Sequence, residues 1–223
     1  MDPDFWLERW RTGQTRFNQP EPNPALVKYW PEIPAGHGTR VFVPLCGKTC
    51  DMLWLRDQHH HVIGNELSDL AVGAFFEENN LKPVLRRAGE FNVYETSGIE
   101  IWCGDFFALP AKATAGVTAG YDRASLVAFP PHAQPAYADK LAQLLPEGSD
   151  LFLITLDYDQ SQMNGPPFSV PDQQVERLFR PAFEIAKREE TEILDAEQRY
   201  RERGLTRLTS SVHWLHRRPS GKG

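Results

Sequence analysis

The sequence lacks the features that would place the protein in a membrane, a secretory route or a complex with nucleic acid. No apolar run reaches the roughly 18 residues of a membrane span. The start, MDPDFWLERW, is acidic and has neither the basic nor the apolar region of a signal peptide, so the cytoplasm is the expected location. The net charge is −6, whereas a nucleic-acid binder would carry a basic face.

Cysteine is scarce, and its pattern predicts neither disulfides nor a metal site. The chain has 3 cysteines, Cys46, Cys50 and Cys103, an odd number without a disulfide framework. Cys46 and Cys50 have no histidine or third cysteine at the spacing that a metal ion requires. The consecutive side chains of His59, His60 and His61 cannot converge on one ion. No metal is therefore expected.

Glycine-rich phosphate loops are absent as well. In VFVPLCGKTCDMLWLRDQHHHVIGNEL, residues 41–67, only Gly47 occupies the turn where a dinucleotide site would show G-x-G-x-x-G. A P-loop would need glycine at position 42, which is Phe42, and Pro44 removes a backbone amide. These absences argue against a cofactor that is held by its pyrophosphate.

The same stretch does contain the parts of a ribose site. An apolar run, a tight turn at Gly47, a helix-like segment and a second apolar run ending on Glu66 form a strand–turn–helix–strand unit. Glu66 follows Gly47 at close to the roughly 20-residue spacing at which an acid accepts the ribose hydroxyls of a bound nucleotide. A cofactor with a ribose but no phosphates fits best, and S-adenosylmethionine is the common one.

Periodicity along the chain predicts an α/β protein. We expect a single domain over residues 1–223, with an N-terminal helical cap over 1–39 and an α/β core over 40–223. Ser68 is predicted to cap the helix after the second strand. Expected strands include 41–45, 62–67, a hairpin of 91–95 with 99–103, 121–129, and 151–156.

The remaining alternation completes a doubly wound, seven-stranded, mostly parallel sheet. Ligands of such sheets bind beyond the carboxyl ends of the strands. The candidate site residues are therefore those near strand ends: Leu45, Glu66, Asp105, Asp122, Arg123 and Asp157.

Several blocks of the sequence together resemble the thiopurine S-methyltransferase family, most closely its bacterial branch. They are VPLCGK (43–48), DMLWL (51–55), GNELS (64–68), WCGDFF (102–107), YDRASL (121–126) and GPPFSVP (165–171). The resemblance implies a Rossmann-like class I methyltransferase that acts as a monomer. It implies S-adenosylmethionine as cofactor, S-adenosylhomocysteine as product, and small aromatic thiols such as thiopurines as acceptors.

The resemblance also implies roles for individual residues. Trp10, Leu45, Glu66 and Arg123 match cofactor-contacting positions of the family, and Asp105 and Phe106 match the segment beside the adenine. Phe17 and Arg199 match positions near the acceptor, which Arg123 also borders. Asn65 stands where a small apolar residue is usual.

The chemistry needs no strong general base, because a sulfonium is a good leaving group and an aromatic thiol is partly ionised near neutral pH. We therefore assign no catalytic nucleophile, and we expect Arg123 and Arg199 to stabilise the acceptor anion. Phe17 and the loop Gly165-Pro166-Pro167-Phe168 offer flat apolar surfaces for an aromatic ring. Trp10 can place its indole near the sulfonium cation.

The sequence leaves other functions open. A methyltransferase acting in detoxification on selenium or tellurium compounds, halide or hydrosulfide would use a similar open pocket. A nicotinamide-dependent oxidoreductase is disfavoured by the missing glycines and by the absence of a Tyr-x-x-x-Lys dyad. A non-catalytic cofactor-binding module is the third alternative, against which the cap aromatics and the GPPF loop argue.

Overall fold

The computed structural model describes residues 3–15, 17–33 and 38–219. The chain divides into two compact units, one reaching Tyr121 and the other beginning at Asp122. None of the helices in the described ranges has the length and apolar character that crossing a membrane requires.

The first unit is built on strands of which the central ones are parallel. The strands are β1 (Arg40–Val43), β2 (His61–Glu66), β3 (Val84–Ala88), β4 (Phe91–Thr96), β5 (Ile99–Cys103) and β6 (Val117–Arg123). In spatial order β3, β4, β5, β2, β1 and β6, neighbouring strands are hydrogen-bonded, and the pairs β1–β2, β2–β5 and β1–β6 are parallel. The β3–β4 and β4–β5 pairs are antiparallel, so the expected hairpin is confirmed.

Four helices belong to this unit: α1 (Pro3–Arg11), α2 (Pro24–Tyr29), α3 (Asp51–Asp57) and α4 (Asp69–Glu78). Ser68 caps α4 as predicted, because its Oγ accepts the amide of Ala71 at 3.4 Å. Asn23 caps α2 in the same way, because its side chain accepts a hydrogen bond from the amide of Ala25 at 3.0 Å. Pro24 occupies the first helical position, where it has no N–H that would need a partner.

Buried polar contacts fasten the N-terminal segment to the sheet of the first unit. Asp51 is buried, and its Oδ1 accepts the amide of Asn23 at 2.8 Å while Oδ2 accepts the hydroxyl of Tyr121 at 2.9 Å. Trp30 donates its indole N–H to Nε2 of His60 at 2.9 Å. The middle histidine of the 59–61 run therefore has a packing role.

The second unit contains the strands β7 (Asp150–Asp157), β8 (Phe183–Glu192) and β9 (Thr209–Arg217) and the helices α5 (Gln134–Leu144), α6 (Asp172–Phe179) and α7 (Gln198–Glu202). These strands form an antiparallel group in the order β7–β9–β8. Leu151–Ile154 of β7 are buried, as expected for a central apolar strand.

An α/β architecture with parallel central strands is confirmed, but three details of the prediction are wrong. The described residues form nine strands instead of seven, and β3 was missed because its residues are almost all exposed and do not alternate. The first strand ends at Val43 instead of Leu45, since Leu45 adopts φ 44°. The strand expected over 121–129 is β6, which ends at Arg123, followed by a 3-10 turn over Leu126–Ala128.

Two glycines of the first unit offer opposite tests of this packing. A Cβ on Gly64, in β2, would lie 2.8 Å from Sγ of Cys46 and 3.2 Å from Sδ of Met52. A Cβ on Gly73, in α4, would have nothing within 4 Å. We expect Gly64→Ala to lower the free energy of unfolding by about 1–3 kcal/mol through overpacking. Gly73→Ala should raise it by up to about 1 kcal/mol.

Urea unfolding followed by circular dichroism measures both changes. Equal effects of the two substitutions would contradict the packing described around Gly64.

Candidate functional site

The carboxylate of Glu66 is fixed by two backbone amides. Its Oε2 accepts the amide of Gly47 at 2.8 Å, and its Oε1 accepts the amide of Ser68 at 2.9 Å. The β1–β2 register aligns Val43 with Gly64, which brings the turn after β1 beside the end of β2. The turn and the acid that the sequence assigns to a ribose site thus lie side by side.

Burial raises the pKa of Glu66, and the amides of Ser68, Gly47 and Leu67 oppose that rise. A carboxylate offers about four lone-pair positions, of which the hydrogen bonds from Gly47 and Ser68 use two. The carboxylate therefore retains acceptor capacity for two hydroxyl donors.

The turn at Gly47 is covered by the indole of Trp10. Gly47 has φ 52°, and a Cβ there would lie 3.3 Å from a ring carbon of Trp10 and 3.4 Å from Oδ1 of Asn18. Leu45 in the same turn also adopts a left-handed conformation, which is strained for a non-glycine residue and is often found at functional sites. The first unit thus brings Trp10, Leu45, Gly47 and Glu66 together.

The segment after β5 contains the two residues predicted near the adenine. Asp105 is exposed, and its Oδ1 accepts the amide of Phe107 at 3.0 Å, which caps the 3-10 turn Phe106–Ala108. Phe106 is buried, while its neighbour Phe107 is 40% exposed. Asn65 ties this segment to β2 by donating to the carbonyls of Trp102 at 3.0 Å and Gly104 at 3.1 Å.

The unusual Asn65 therefore has a structural explanation. Its side chain is buried and joins the carboxyl ends of β2 and β5, next to Glu66 on one side and Asp105 on the other.

Three aromatic rings of the N-terminal segment pack edge to face. The ring centroid of Phe17 lies 5.7 Å from that of Trp6 and 5.6 Å from that of Trp10. Phe17, predicted near the acceptor, is therefore one ring away from the Gly47 turn. No sequence motif assigned a role to Trp6, although its spacing of four residues from Trp10 places both on one helix face.

In the second unit, Arg123 is positioned by the buried carboxylate that precedes it. Asp122 accepts the hydroxyl of Tyr137 at 2.7 Å and the amides of Ser125 and Leu126 at 3.3 and 3.2 Å. These bonds close a tight turn in which Ala124 adopts φ 67°. Arg123 is half-buried at the start of that turn.

The positive charges of Arg199 and Arg123 both act on the hydroxyl group of Tyr200. Burial raises the pKa of Tyr200, and the positive charges of Arg199, Arg203 and Arg123 partly oppose the rise. The guanidinium of Arg199 lies 4.8 Å from the ring centroid of Tyr200 and forms an ion pair with Glu197 at 2.9 Å. The structure thus places Arg199 against Tyr200, a residue for which the sequence predicted no role.

Phe168 lies in a loop that is held by several side chains. A Cβ on Gly165, at φ 74°, would lie 2.6 Å from the Phe168 ring, so the ring rests on this glycine. Tyr158 donates its hydroxyl to the carbonyl of Pro167 at 2.6 Å, and Arg203 donates to that of Pro166 at 3.4 Å. The loop that carries Phe168 has a shape set by these contacts.

No three or more His, Cys, Asp or Glu side chains gather as metal ligands within residues 3–15, 17–33 and 38–219.

The family model described as thiopurine S-methyltransferase (TPMT) matches residues 1–218. A thiopurine S-methyltransferase of Methylococcus capsulatus is 48% identical over 221 residues, covering 99% of this chain and 100% of the relative. One from Bordetella petrii is also 48% identical, covering 97% and 99%. The chain belongs to the thiopurine S-methyltransferase family.

Solved structures support the same fold at low identity. A SAM-dependent methyltransferase of Anabaena variabilis superposes with a TM-score of 0.68 at 15% identity, covering 97% of this chain and 95% of that one. The 1,6-didemethyltoxoflavin-N1-methyltransferase of Burkholderia thailandensis was solved with S-adenosylhomocysteine. It superposes with a TM-score of 0.65 at 13% identity, covering 97% of this chain and 87% of that one.

Family membership makes the chain an S-adenosylmethionine-dependent S-methyltransferase, which confirms the activity and cofactor expected from the sequence. The fold expected, a Rossmann-like class I methyltransferase, is also confirmed. The oxidoreductase and the non-catalytic module are thereby rejected.

The carboxyl group of Asp122 gives the free energy of unfolding a testable pH dependence. Burial raises its pKa from the ordinary value of 3.8 to about 6, against its hydrogen bonds with Tyr137, Leu126 and Ser125. An acid with a raised folded pKa favours folding while it is protonated, and this contribution is lost as pH rises from about 4 through about 6. The loss amounts to about 3 kcal/mol at most.

Asp122→Asn removes this titration. We expect the free energy of unfolding of the variant, relative to wild type, to increase as pH is raised from 4 to 7. Asp159→Asn is the matched control, because hydrogen bonds from Ser161 lower the pKa of exposed Asp159 and its difference should move in the opposite sense. Denaturant titrations at several pH values measure both, and a pH-independent difference for Asp122→Asn would contradict the interpretation.

Proposed function

We propose that the protein transfers the methyl group of S-adenosylmethionine to the thiol of a small aromatic or heterocyclic compound such as a thiopurine. The observation that carries the proposal is the Glu66 carboxylate, buried and held by the amides of Gly47 and Ser68 under the indole of Trp10. Near-full-length relatives named thiopurine S-methyltransferase support the acceptor class.

The residues present fit the cofactor. Glu66 has lone pairs left for the two ribose hydroxyls, and position 47 favours glycine, since φ is 52° and a Cβ there would lie 3.3 Å from the Trp10 ring. The exposed carboxylate of Asp105 has one oxygen beyond its cap bond and would accept from the adenine amino group, with Phe106 beside the ring. Leu45, Gly47 and Arg123 complete the proposed cofactor-binding set.

When bound, the cofactor supplies a methyl group on a positively charged sulfur that is itself a good leaving group. The indole face of Trp10 is suited to neighbour that charge, a contact worth up to about 2 kcal/mol when desolvated. Because the leaving group is good, the protein needs to align the acceptor sulfur and exclude water. Alignment alone can contribute up to about 7–11 kcal/mol.

On the acceptor side, we propose that Phe17 and Phe168 pack against the ring of the thiol. Arg123 and Arg199 would stabilise its thiolate or ring-nitrogen anion. Two observations support this proposal. The guanidinium of Arg199 lies 4.8 Å from the ring centroid of Tyr200 and is held by its ion pair with Glu197 at 2.9 Å. Arg123 is half-buried at the start of the turn that Asp122 closes. No residue is proposed as a nucleophile or strong general base.

We further propose that residues 1–223 act as one catalytic domain, monomeric and cytoplasmic. The family model extends across both compact units. The edge of the β7–β9–β8 group is charged and irregular, with a register shift between Lys187 and Glu189, a feature that discourages pairing between copies. The three cysteines are thiols, as expected in a reducing compartment. A solution mass of twice 25.4 kDa by light scattering would contradict the monomer.

Glu66→Gln tests the ribose site. We expect S-adenosylmethionine to bind about a hundredfold more weakly by calorimetry, because hydrogen bonds to a charged acceptor are lost. Glu77→Gln, an exposed acid of α4, is the control and should bind as wild type.

S-adenosylhomocysteine release with 6-mercaptopurine, selenite and hydrosulfide then tests the acceptor. Release with 6-mercaptopurine supports the proposal. Release with only selenite or hydrosulfide would contradict the aromatic thiol as acceptor and would indicate an inorganic acceptor instead. Unchanged cofactor affinity in Glu66→Gln would contradict the ribose site.

The combined change of Arg123→Gln and Arg199→Gln tests anion stabilisation. We expect kcat/KM for 6-mercaptopurine to fall by about a hundredfold, with partial recovery when both positions carry lysine. Arg201→Gln, in the same helix as Arg199 and exposed, should leave kcat/KM within about twofold of wild type. Unchanged turnover in the double variant would exclude this role.

A further inference from the structure

The side chain of Gln160 lies at the centre of the hydrogen bonds that shape the loop carrying Phe168. Gln160 is half-buried in a 3-10 turn that follows β7. Its Nε2 donates to the carbonyl of Met163 at 2.6 Å and to the hydroxyl of Tyr158 at 3.1 Å. Its Oε1 accepts the amide of Ser169 at 2.9 Å. The N–H donors and the carbonyl oxygen of this one amide group are therefore all used within one loop.

The bonds of Gln160 reach the backbone on both sides of Phe168. On the side before it, the hydroxyl of Tyr158 accepts from Gln160 and donates to the carbonyl of Pro167 at 2.6 Å. On the side after it, the amide of Ser169 donates to Gln160 directly. Because both neighbours of Phe168 are tied to the same side chain, the direction of the Phe168 ring depends on Gln160.

A small apolar core connects this loop to α7. Tyr158 and Met163, both bonded to Gln160, are buried in one cluster with Tyr200. The guanidinium of Arg199 lies 4.8 Å from the ring centroid of Tyr200. The loop and the helix that carry the proposed acceptor contacts of the second unit therefore share this core.

The bonding pattern calls for a carboxamide at position 160. The amide of Ser169 needs an acceptor and the carbonyl of Met163 needs a donor, and the side chain of Gln160 supplies both. A carboxylate of the same length would keep the acceptor but would set a negative oxygen against the Met163 carbonyl. Gln160→Glu therefore changes the hydrogen bonds with almost no change of side-chain shape.

We propose that Gln160 is a positioning residue for the acceptor, because it sets the direction in which Phe168 meets the acceptor ring. The inference rests on the proposed function, in which Phe168 packs against that ring. Gln160 acts through the loop in this scheme and contacts neither the acceptor nor the cofactor. Its replacement should weaken acceptor binding and leave the methyl transfer step unchanged.

Steady-state kinetics of Gln160→Glu with 6-mercaptopurine and S-adenosylmethionine tests this role. At about pH 8 we expect the KM for 6-mercaptopurine to rise about tenfold, because a displaced Phe168 ring weakens acceptor binding equally in the ground state and the transition state. The KM for S-adenosylmethionine and kcat should stay within about twofold of wild type.

Gln162→Glu is the matched control. Gln162 lies in the same turn and is also half-buried, but its side chain bonds with Thr206, at 3.1 Å to the hydroxyl and 3.0 Å to the amide. The same change of charge is thereby made away from the backbone next to Phe168. Both KM values of this variant should stay within about twofold of wild type.

Lowering the pH should partly rescue Gln160→Glu. A protonated carboxyl group can donate one hydrogen bond, so it can restore the bond to the Met163 carbonyl, and partial burial raises the pKa of such a group. The ratio of the 6-mercaptopurine KM of the variant to that of wild type should therefore fall as pH is lowered from about 8 to about 5. Taking the ratio removes the ionisation of the acceptor itself, which both enzymes experience.

Three results would overturn the positioning role. A fall in kcat with both KM values unchanged would show that Gln160 only keeps the enzyme folded. A KM ratio that does not change with pH would show that the donated hydrogen bond is not what matters. An equal rise of both KM values would show a general disturbance of the site.

Phe168→Ala separates this role from the proposed function. If Phe168→Ala raises the KM for 6-mercaptopurine and Gln160→Glu does not, the acceptor site stands and the role of Gln160 is wrong. If Phe168→Ala leaves that KM unchanged, the proposed acceptor contact fails and the positioning role with it. If wild type does not methylate 6-mercaptopurine, the proposed function itself fails.

Discussion

The geometry of the proposed cofactor site depends on one interaction: the carboxylate of Glu66 accepts hydrogen bonds from two backbone amides. Burying a carboxylate is unfavourable unless hydrogen bonds compensate, and here the amides of Gly47 and Ser68 supply them. One side chain thereby fixes the turn after β1, the end of β2 and the start of α4. Asn65, one residue earlier, extends the same connection to the end of β5. Because the group that would hold the ribose also holds the loops around it, binding requires little rearrangement of these loops.

In the second unit, the carboxylate of Asp122 also accepts hydrogen bonds from backbone amides. Its buried carboxylate closes the turn after β6 through the amides of Ser125 and Leu126, and Tyr137 takes the other oxygen. In both units a non-glycine residue near a strand end, Leu45 or Ala124, is held in a left-handed conformation. Such strain persists only where the surroundings impose it. In each turn a buried acid accepts backbone amides beside the strained residue, from Gly47 in one case and from Ser125 and Leu126 in the other.

How far the sequence predicts this arrangement depends on whether a feature is local. The Gly47–Glu66 pairing follows from the length of one strand–turn–helix–strand unit, and the Ser68 cap follows from residue type, so both were predictable. The end of β6 was not, because 126–129 is as apolar as a strand and only the bonds to Asp122 reveal the turn. The missed strand β3 pairs with β4 although its side chains are almost all exposed, so no burial pattern marks it. The surroundings of Arg199 depend on Tyr200 and Glu197 in and beside a helix of five residues, which periodicity cannot detect.

The division between predictable and unpredictable residues also follows the chemistry. A ribose has two hydroxyls at fixed separation, so its recognition needs a single acid at a set distance from a turn. An aromatic thiol imposes no such pattern, since packing on flat apolar side chains and a diffuse positive charge would satisfy it. Contacts of this kind can be assembled from many residues on separate segments, as Tyr158, Arg203 and Gly165 illustrate around the Phe168 loop. The residues that contact the acceptor can therefore change while the Gly47–Glu66 connection stays the same, and no spacing rule identifies them.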